Sequence, residues 1–204
     1  MQLIEIKNKL SNTYRKSIIR TFDSLCPLNG DLGLTGFLHK KKFFDEKRLK
    51  KLELLSNKQL LEFISNHQYL NNVFQDYLGN YSIDYVKKWQ TEGDTNSSIW
   101  HHDSVGHRIK IFIGLSEVVK ETGTCFIPKS HKNKYSSYLE TRVEPDSDVD
   151  QIIINLDRGD LMVFDTNMLH RGMYGKNKRT AFTIEVSNPY KGFLLPGDIG
   201  RRPL

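Results

Sequence analysis

At 204 residues, with 30 Lys+Arg against 24 Asp+Glu and a net charge of +6, the chain is long enough for one domain with a real core. Its two cysteines are too few for a disulfide scaffold, and no apolar run reaches the roughly 20 residues that a membrane span requires. The basic balance favours an anionic small molecule as partner, and without an aromatic-plus-basic motif it makes no case for nucleic acid.

The opening stretch, Met1 to Lys7, lacks the apolar run of a signal peptide, so a soluble cytoplasmic protein is expected. Residues 1–204 read as a single domain, with a mostly helical part over 1–79, a barrel core over 80–188 and a tail over 189–204. In residues 1–26, Leu3, Ile6, Leu10, Ile18, Ile19, Phe22 and Leu25 recur at a spacing that fits helix. Pro27 to Gly36 holds one Pro and three Gly and reads as a loop. Lys40 to Leu55 reads as an amphipathic helix with a solvated basic face, or as a rim that draws in an acidic substrate. Ser56 and Gln59 have the spacing of a reciprocal helix cap, and Asn66 to Leu78 continues as a helix that Gly79 stops.

After Gly79 the period changes. Tyr81, Ile83, Tyr85, Val86 and Trp89 predict a strand. Short apolar segments follow at Ile109–Leu115, Thr124–Ile127, Gln151–Leu156, Leu161–Phe164 and Ala181–Val186, punctuated by Gly123, Gly159 and Gly175. Strands at that spacing indicate a barrel or sandwich. Tyr135 to Asp150 is polar and acidic and is expected to be an exposed loop or lid.

The chemistry centres on Trp100-His101-His102-Asp103. In extended chain, residues two apart share a side, so His101 and Asp103 can grip one ion while His102 faces away. Two imidazoles and a carboxylate are the donor set that leaves Fe(II) open positions for a cosubstrate and O2. His170, reached directly from the turn and strand Gly159 to Asp165, is the best third ligand. Arg179 follows on the next predicted strand, where its planar fork suits the far carboxylate of a dicarboxylate cosubstrate. Arg171, Lys176 and Lys178 are rivals for that role. Of His107, Arg108 and Lys110, one can meet an anionic group of substrate or cosubstrate. His131 is expected to fix its loop, and Cys125 to be a small buried strand residue.

Taken together, Trp100 to Asp103, Ile113 to Glu117, Gly123 to His131, Gly159 to Asp165, His170 and Arg179 resemble the phytanoyl-CoA dioxygenase family of Fe(II)- and 2-oxoglutarate-dependent oxygenases. The resemblance covers roughly residues 80–188. It implies a mainly β fold with flanking helices, a double-stranded β-helix (jelly-roll or cupin-like barrel) with an N-terminal helical layer. It implies iron on His101, Asp103 and His170, and 2-oxoglutarate on Arg179; Lys110 and Thr183 are expected, from their own positions in the chain, as further cosubstrate contacts. It implies hydroxylation of a small or medium-sized metabolite with release of succinate and CO2, using O2 and supported by ascorbate. The family's G-x-x-x-x-x-P-G-S-H segment has Lys129 here in place of Gly. The family often has Ser two residues after the anchoring Arg; here that residue is Ala181, so Thr180 or Thr183 must supply any hydroxyl. A retained Asp103 favours hydroxylation, or less often desaturation or ring formation, over halogenation, since related halogenases lack the carboxylate.

Three other readings compete. A non-catalytic barrel could bind a metal or sugar. A cupin-type isomerase or hydrolase would use His-x-His plus a further Glu and His, a spacing this chain lacks. A protein or nucleic-acid hydroxylase has only the basic charge in its favour. The sequence leaves the oligomeric state and the oxidised carbon open.

Overall fold

The computed structural model describes residues 30–91, 98–103, 108–117, 123–132, 142–146, 148–173 and 178–188. The expected N-terminal helix, His107, Lys176, Cys26, half of the acidic 135–150 segment (135–141 and 147) and the tail lie outside them.

A first helix, α1 (Gly30–Thr35), leads into strand β1 (Phe37–Lys40). Here the expectation of a loop at 27–36 fails in part. The Gly-rich composition lowers helix propensity, but Leu32 is buried in the core and tertiary packing outweighs that penalty. Helix α2 (Glu46–Glu53) starts at Asp45, whose side chain accepts from the Arg48 N–H at 2.8 Å. Helix α3 (Asn57–Ser65) starts with the reciprocal Ser56–Gln59 cap read from the sequence. Helix α4 (Gln68–Leu78) buries Leu70, Phe74, Tyr77 and Leu78 and ends at Gly79, which has φ 66°.

The strands that follow are β2 (Ser82–Thr91), β3 (Arg108–Gly114), β4 (Thr124–Phe126), β5 (Ile152–Ile154), β6 (Leu161–Asp165), β7 (His170–Gly172) and β8 (Arg179–Ser187). They form a five-stranded sheet in the order β1-β6-β3-β8-β2 and a three-stranded sheet in the order β5-β4-β7. Every pairing is antiparallel. Strands β1 and β7 escaped the sequence reading because each is too short to show alternation.

Alternation along the five-stranded sheet separates two environments. Ile109, Ile111 and Ile113 of β3 join Val163, Phe182 and Ile184 in one cluster with Leu49, Leu60, Ile64 and Phe74 of the helices. The alternate residues, Met162, Phe164, Ala181 and the partly buried Phe112, cluster instead with Phe126 and Ile154 of the second sheet. The helices therefore cover one face and the small sheet the other. The basic face of α2 stands on the helical side, and none of residues 40–55 lines the cavity described below. Lys47, Arg48, Lys50 and Lys51 are exposed, as the solvated-face reading expects.

The turn before β6 shows how one position is fixed. Gly159 has φ 90°, and a Cβ there would lie 2.5 Å from the Phe44 carbonyl oxygen. That closeness lets the Phe44 N–H donate to the Gly159 carbonyl at 2.9 Å. The next residue, Asp160, is buried and accepts from the Lys42 N–H at 2.8 Å and from His39 at 2.9 Å. Beside it, Arg158 forks onto Glu46 and Glu53 and ties α2 to this turn. Among the described residues no helix is long and apolar enough to cross a membrane.

Candidate metal centre

Backbone pairing builds the site. His101 donates its N–H to the His170 carbonyl at 3.0 Å, and His170 donates back at 2.9 Å. Such a reciprocal pair puts both side chains on one side of the ladder. The two rings accordingly sit 4.3 Å apart, centroid to centroid. Asp103, two residues on, is pinned by its N–H on the Thr166 carbonyl at 2.8 Å. One atom each of His101, Asp103 and His170 falls within a 4.8 Å group.

Both rings are aimed the same way. Nδ1 of His101 donates to the Ile99 carbonyl, and Nδ1 of His170 to the Met168 carbonyl, each at 2.7 Å. A carbonyl only accepts, so Nδ1 carries the proton and Nε2 presents its lone pair. The two Nε2 atoms lie 3.7 Å and 3.8 Å from opposite oxygens of the Asp103 carboxylate. Backbone support of the outer ring nitrogen is the usual way of orienting ligating imidazoles. The set could hold a divalent ion, and its donors suit iron. His102 points elsewhere and is fully buried.

Charge states agree with that geometry. Burial pushes the Asp103 carboxyl up, but the Lys110 ammonium, then the two imidazoles, outweigh it and hold it well below the usual carboxylate range. Lys110 contacts Asp103 Oδ2 directly. Burial brings His170 down to about 4, against the opposing pull of Asp103, so its ring is neutral.

The three residues open on a cavity of about 150 Å³. Arg179, Thr183 and Lys110 all line it. Arg179 donates from Nη1 to Thr124 Oγ1 at 3.2 Å, and its guanidinium lies 5.1 Å from the Trp89 ring centre. Burial lowers its pKa to about 10, which leaves it charged at neutral pH. The rivals sit elsewhere: Arg171 stacks 4.7 Å over Trp100, and Lys178 does not line the cavity. Thr180 is also outside it, with its N–H bonded to Ser116, whereas the buried Thr183 hydroxyl lines the wall with no hydrogen-bond partner among the described residues. Arg108 is buried and paired with Glu185. His131 contacts the Gly33 carbonyl at 3.3 Å, and Cys125 is buried in β4.

Sequence reading missed Tyr85, Lys87, Trp89, Phe112, Thr124 and Phe164 as cavity walls. The signal for the first three was the two-residue alternation of β2. Lys129 adopts φ 66°, the left-handed region, where the resembling family has Gly.

The sequence matches no protein-family model and no curated protein. Solved structures do match. One is the epimerase SnoN in complex with Fe3+, α-ketoglutarate and nogalamycin RO, at 14% identity and TM-score 0.62, covering 93% of this chain and 94% of that one. A second is HygX from Streptomyces hygroscopicus with nickel and 2-oxoglutarate bound, at 12% identity and TM-score 0.58, covering 78% and 84%. A third is the non-haem α-ketoglutarate-dependent carbocyclase SnoK from nogalamycin biosynthesis, at 14% identity and TM-score 0.56, covering 85% and 90%. The chain thus shares the fold of non-haem iron, 2-oxoglutarate-dependent enzymes.

Proposed function

We propose that the chain is an Fe(II)- and 2-oxoglutarate-dependent dioxygenase that hydroxylates a small or medium-sized, anionic metabolite in the cytoplasm. The convergence of His101, Asp103 and His170 at a cavity whose wall carries Arg179 is the observation behind this reading. The two facing sheets support reading the barrel as a double-stranded β-helix, and the order of motifs supports likeness to the phytanoyl-CoA dioxygenase family.

In this reading iron and 2-oxoglutarate supply the oxidation, with succinate and CO2 as coproducts. His101, Asp103 and His170 would hold the ion, while Lys110 steadies the Asp103 carboxylate. Arg179 takes the far carboxylate of the cosubstrate, oriented by Thr124 and Trp89. Thr183 supplies the hydroxyl that Ala181 lacks. Phe112 and Phe164 give the cavity a dry wall, which strengthens the charge interactions inside it. The surplus of cations on the wall, Lys87 with Lys110 and Arg179 against Asp103, favours an anionic substrate.

The test is succinate formation from 2-oxoglutarate by protein supplied with Fe(II), ascorbate and O2. Slow uncoupled turnover is expected in the parent protein and none in His101→Ala or Asp103→Ala. Equal succinate yield from all three proteins would sink the proposal. SnoN is an epimerase and SnoK a carbocyclase, so product mass must be read once a substrate is found. Gain of one oxygen atom supports hydroxylation; unchanged mass or loss of two hydrogens replaces it with epimerisation or ring closure.

A further inference from the structure

We propose that Arg108 forms a second carboxylate site, at the opposite end of β8 from Arg179, and that it receives the carboxylate of the substrate. This rests on the oxygenase reading above.

Arg108 is only 3% exposed. Its Nη1 pairs with Glu185, while Nε and Nη2 are buried and have no hydrogen-bond partner among the described residues. Buried guanidinium donors are rarely left unmade, because each one forgoes its bonds to water. The Nε/Nη2 edge is also the fork that accepts a carboxylate through two parallel bonds. Glu185 turns the guanidinium so that this edge is the one left over. Opposite Arg108 on β8, the Ser187 hydroxyl is likewise buried and without a hydrogen-bond partner among the described residues.

The position relates the fork to the metal triad. Arg108 and Lys110 are two apart on β3 and share its inner face, roughly 7 Å along the strand. Lys110 contacts Asp103. Glu185 lies opposite Lys110 of β3 and opposite Tyr85 of β2, both of which line the cavity. Along β8 the inner positions run from Arg179 through Thr183 and Glu185 to Ser187, so Arg179 and the Arg108–Ser187 pair stand at opposite ends of one row, and Lys110, which contacts Asp103, pairs within it. A cosubstrate on Arg179 and a substrate on Arg108 would approach the metal from opposite ends. The substrate class is a small carboxylic acid oxidised within a few bonds of its carboxylate.

The test uses protein loaded with Mn(II) and saturating 2-oxoglutarate, so that the triad and Arg179 are taken. Acetate, propionate and inorganic phosphate serve as probes, read by paramagnetic broadening of their NMR signals. Acetate and propionate should be broadened by the parent protein and bind about tenfold more weakly to Arg108→Lys, which keeps the charge facing Glu185 but loses the fork. The double variant Arg108→Gln with Glu185→Gln removes both charges together, avoids a lone buried carboxylate and should lose the binding too. Unchanged broadening in both variants, or phosphate held more tightly than acetate, overturns the proposal. No broadening by a parent protein that does hold Mn(II) and 2-oxoglutarate overturns the Arg108 site and leaves the cofactor reading intact. A protein that holds neither, yet gains thermal stability from acetate only while Arg108 is present, overturns the oxygenase reading and keeps the anion site.

Discussion

The two faces of the five-stranded sheet are made from the same strands and have opposite characters. Toward the helices, β3 presents Ile109, Ile111 and Ile113, all fully buried. Toward the small sheet it presents Arg108, Lys110 and Phe112. The first face buries apolar area, each such side chain contributing roughly 1.5–3 kcal/mol relative to exposure. The second gives up part of that gain to hold charges near a cavity. Stability and chemistry thus alternate residue by residue, and substitutions one position apart should affect different properties.

The largest effect is expected on the helical face. Ile111→Ala removes packing among fully buried neighbours and should lower unfolding free energy by about 2–5 kcal/mol in denaturant titration. Mn(II) affinity of the folded variant should stay within about threefold of the parent. A large loss of affinity would break the division between the faces. Asp165 is the polar exception on the helical face: its Oδ2 accepts from the Tyr77 hydroxyl at 2.5 Å. Burial raises its pKa from 3.8 to about 6, against the hydrogen bonds from Tyr77 and Asn167. A raised folded value means stability that is fully present below the unfolded pKa and lost as pH rises through about 6. The loss is up to about 3 kcal/mol, and Asp165→Asn should flatten the melting temperature between about pH 4 and 7. An identical pH profile in that variant would assign the dependence elsewhere.

On the cavity face, Lys110→Met should weaken Mn(II) binding about 10–100-fold. Tighter Mn(II) binding would mean that the ammonium competes with the metal rather than steadying Asp103. Arg179→Lys should raise the 2-oxoglutarate concentration for half-saturation by about tenfold or more, with metal affinity unchanged. Equal half-saturation would move the anchor to another cation. The smallest effect belongs to neither face. Lys129→Gly relieves a left-handed backbone and should raise stability by about 0.5–1 kcal/mol, measured as a shift in the denaturation midpoint.

Much of the fold was legible because its signals are local. The Ser56–Gln59 cap, the stop at Gly79 and the alternation in β2, β3 and β8 are each written within a few residues. The spacing of His101 and Asp103 is equally local, as is the tight turn at Gly159 that leads to β6. The α1 helix and strand β1 were not legible, since Gly30 to Gly36 suggests a loop until Leu32 has a core to enter. The basic stretch 40–55 was ambiguous for the same reason: charge alone does not say which face of a sheet a helix will cover.

What the sequence determined by itself is the set of side chains and the face each takes within its own strand. Which of them meet was decided by the order β1-β6-β3-β8-β2, for which no short-range signal exists. Tyr77 reaches Asp165 across 88 residues of chain. Glu185 comes to lie between Tyr85 and Lys110, Arg108 pairs with it, and Arg179 finds Thr124 and Trp89. These partnerships depend on strand order because hydrogen-bond ladders fix register between strands, while sequence periodicity fixes only orientation within them.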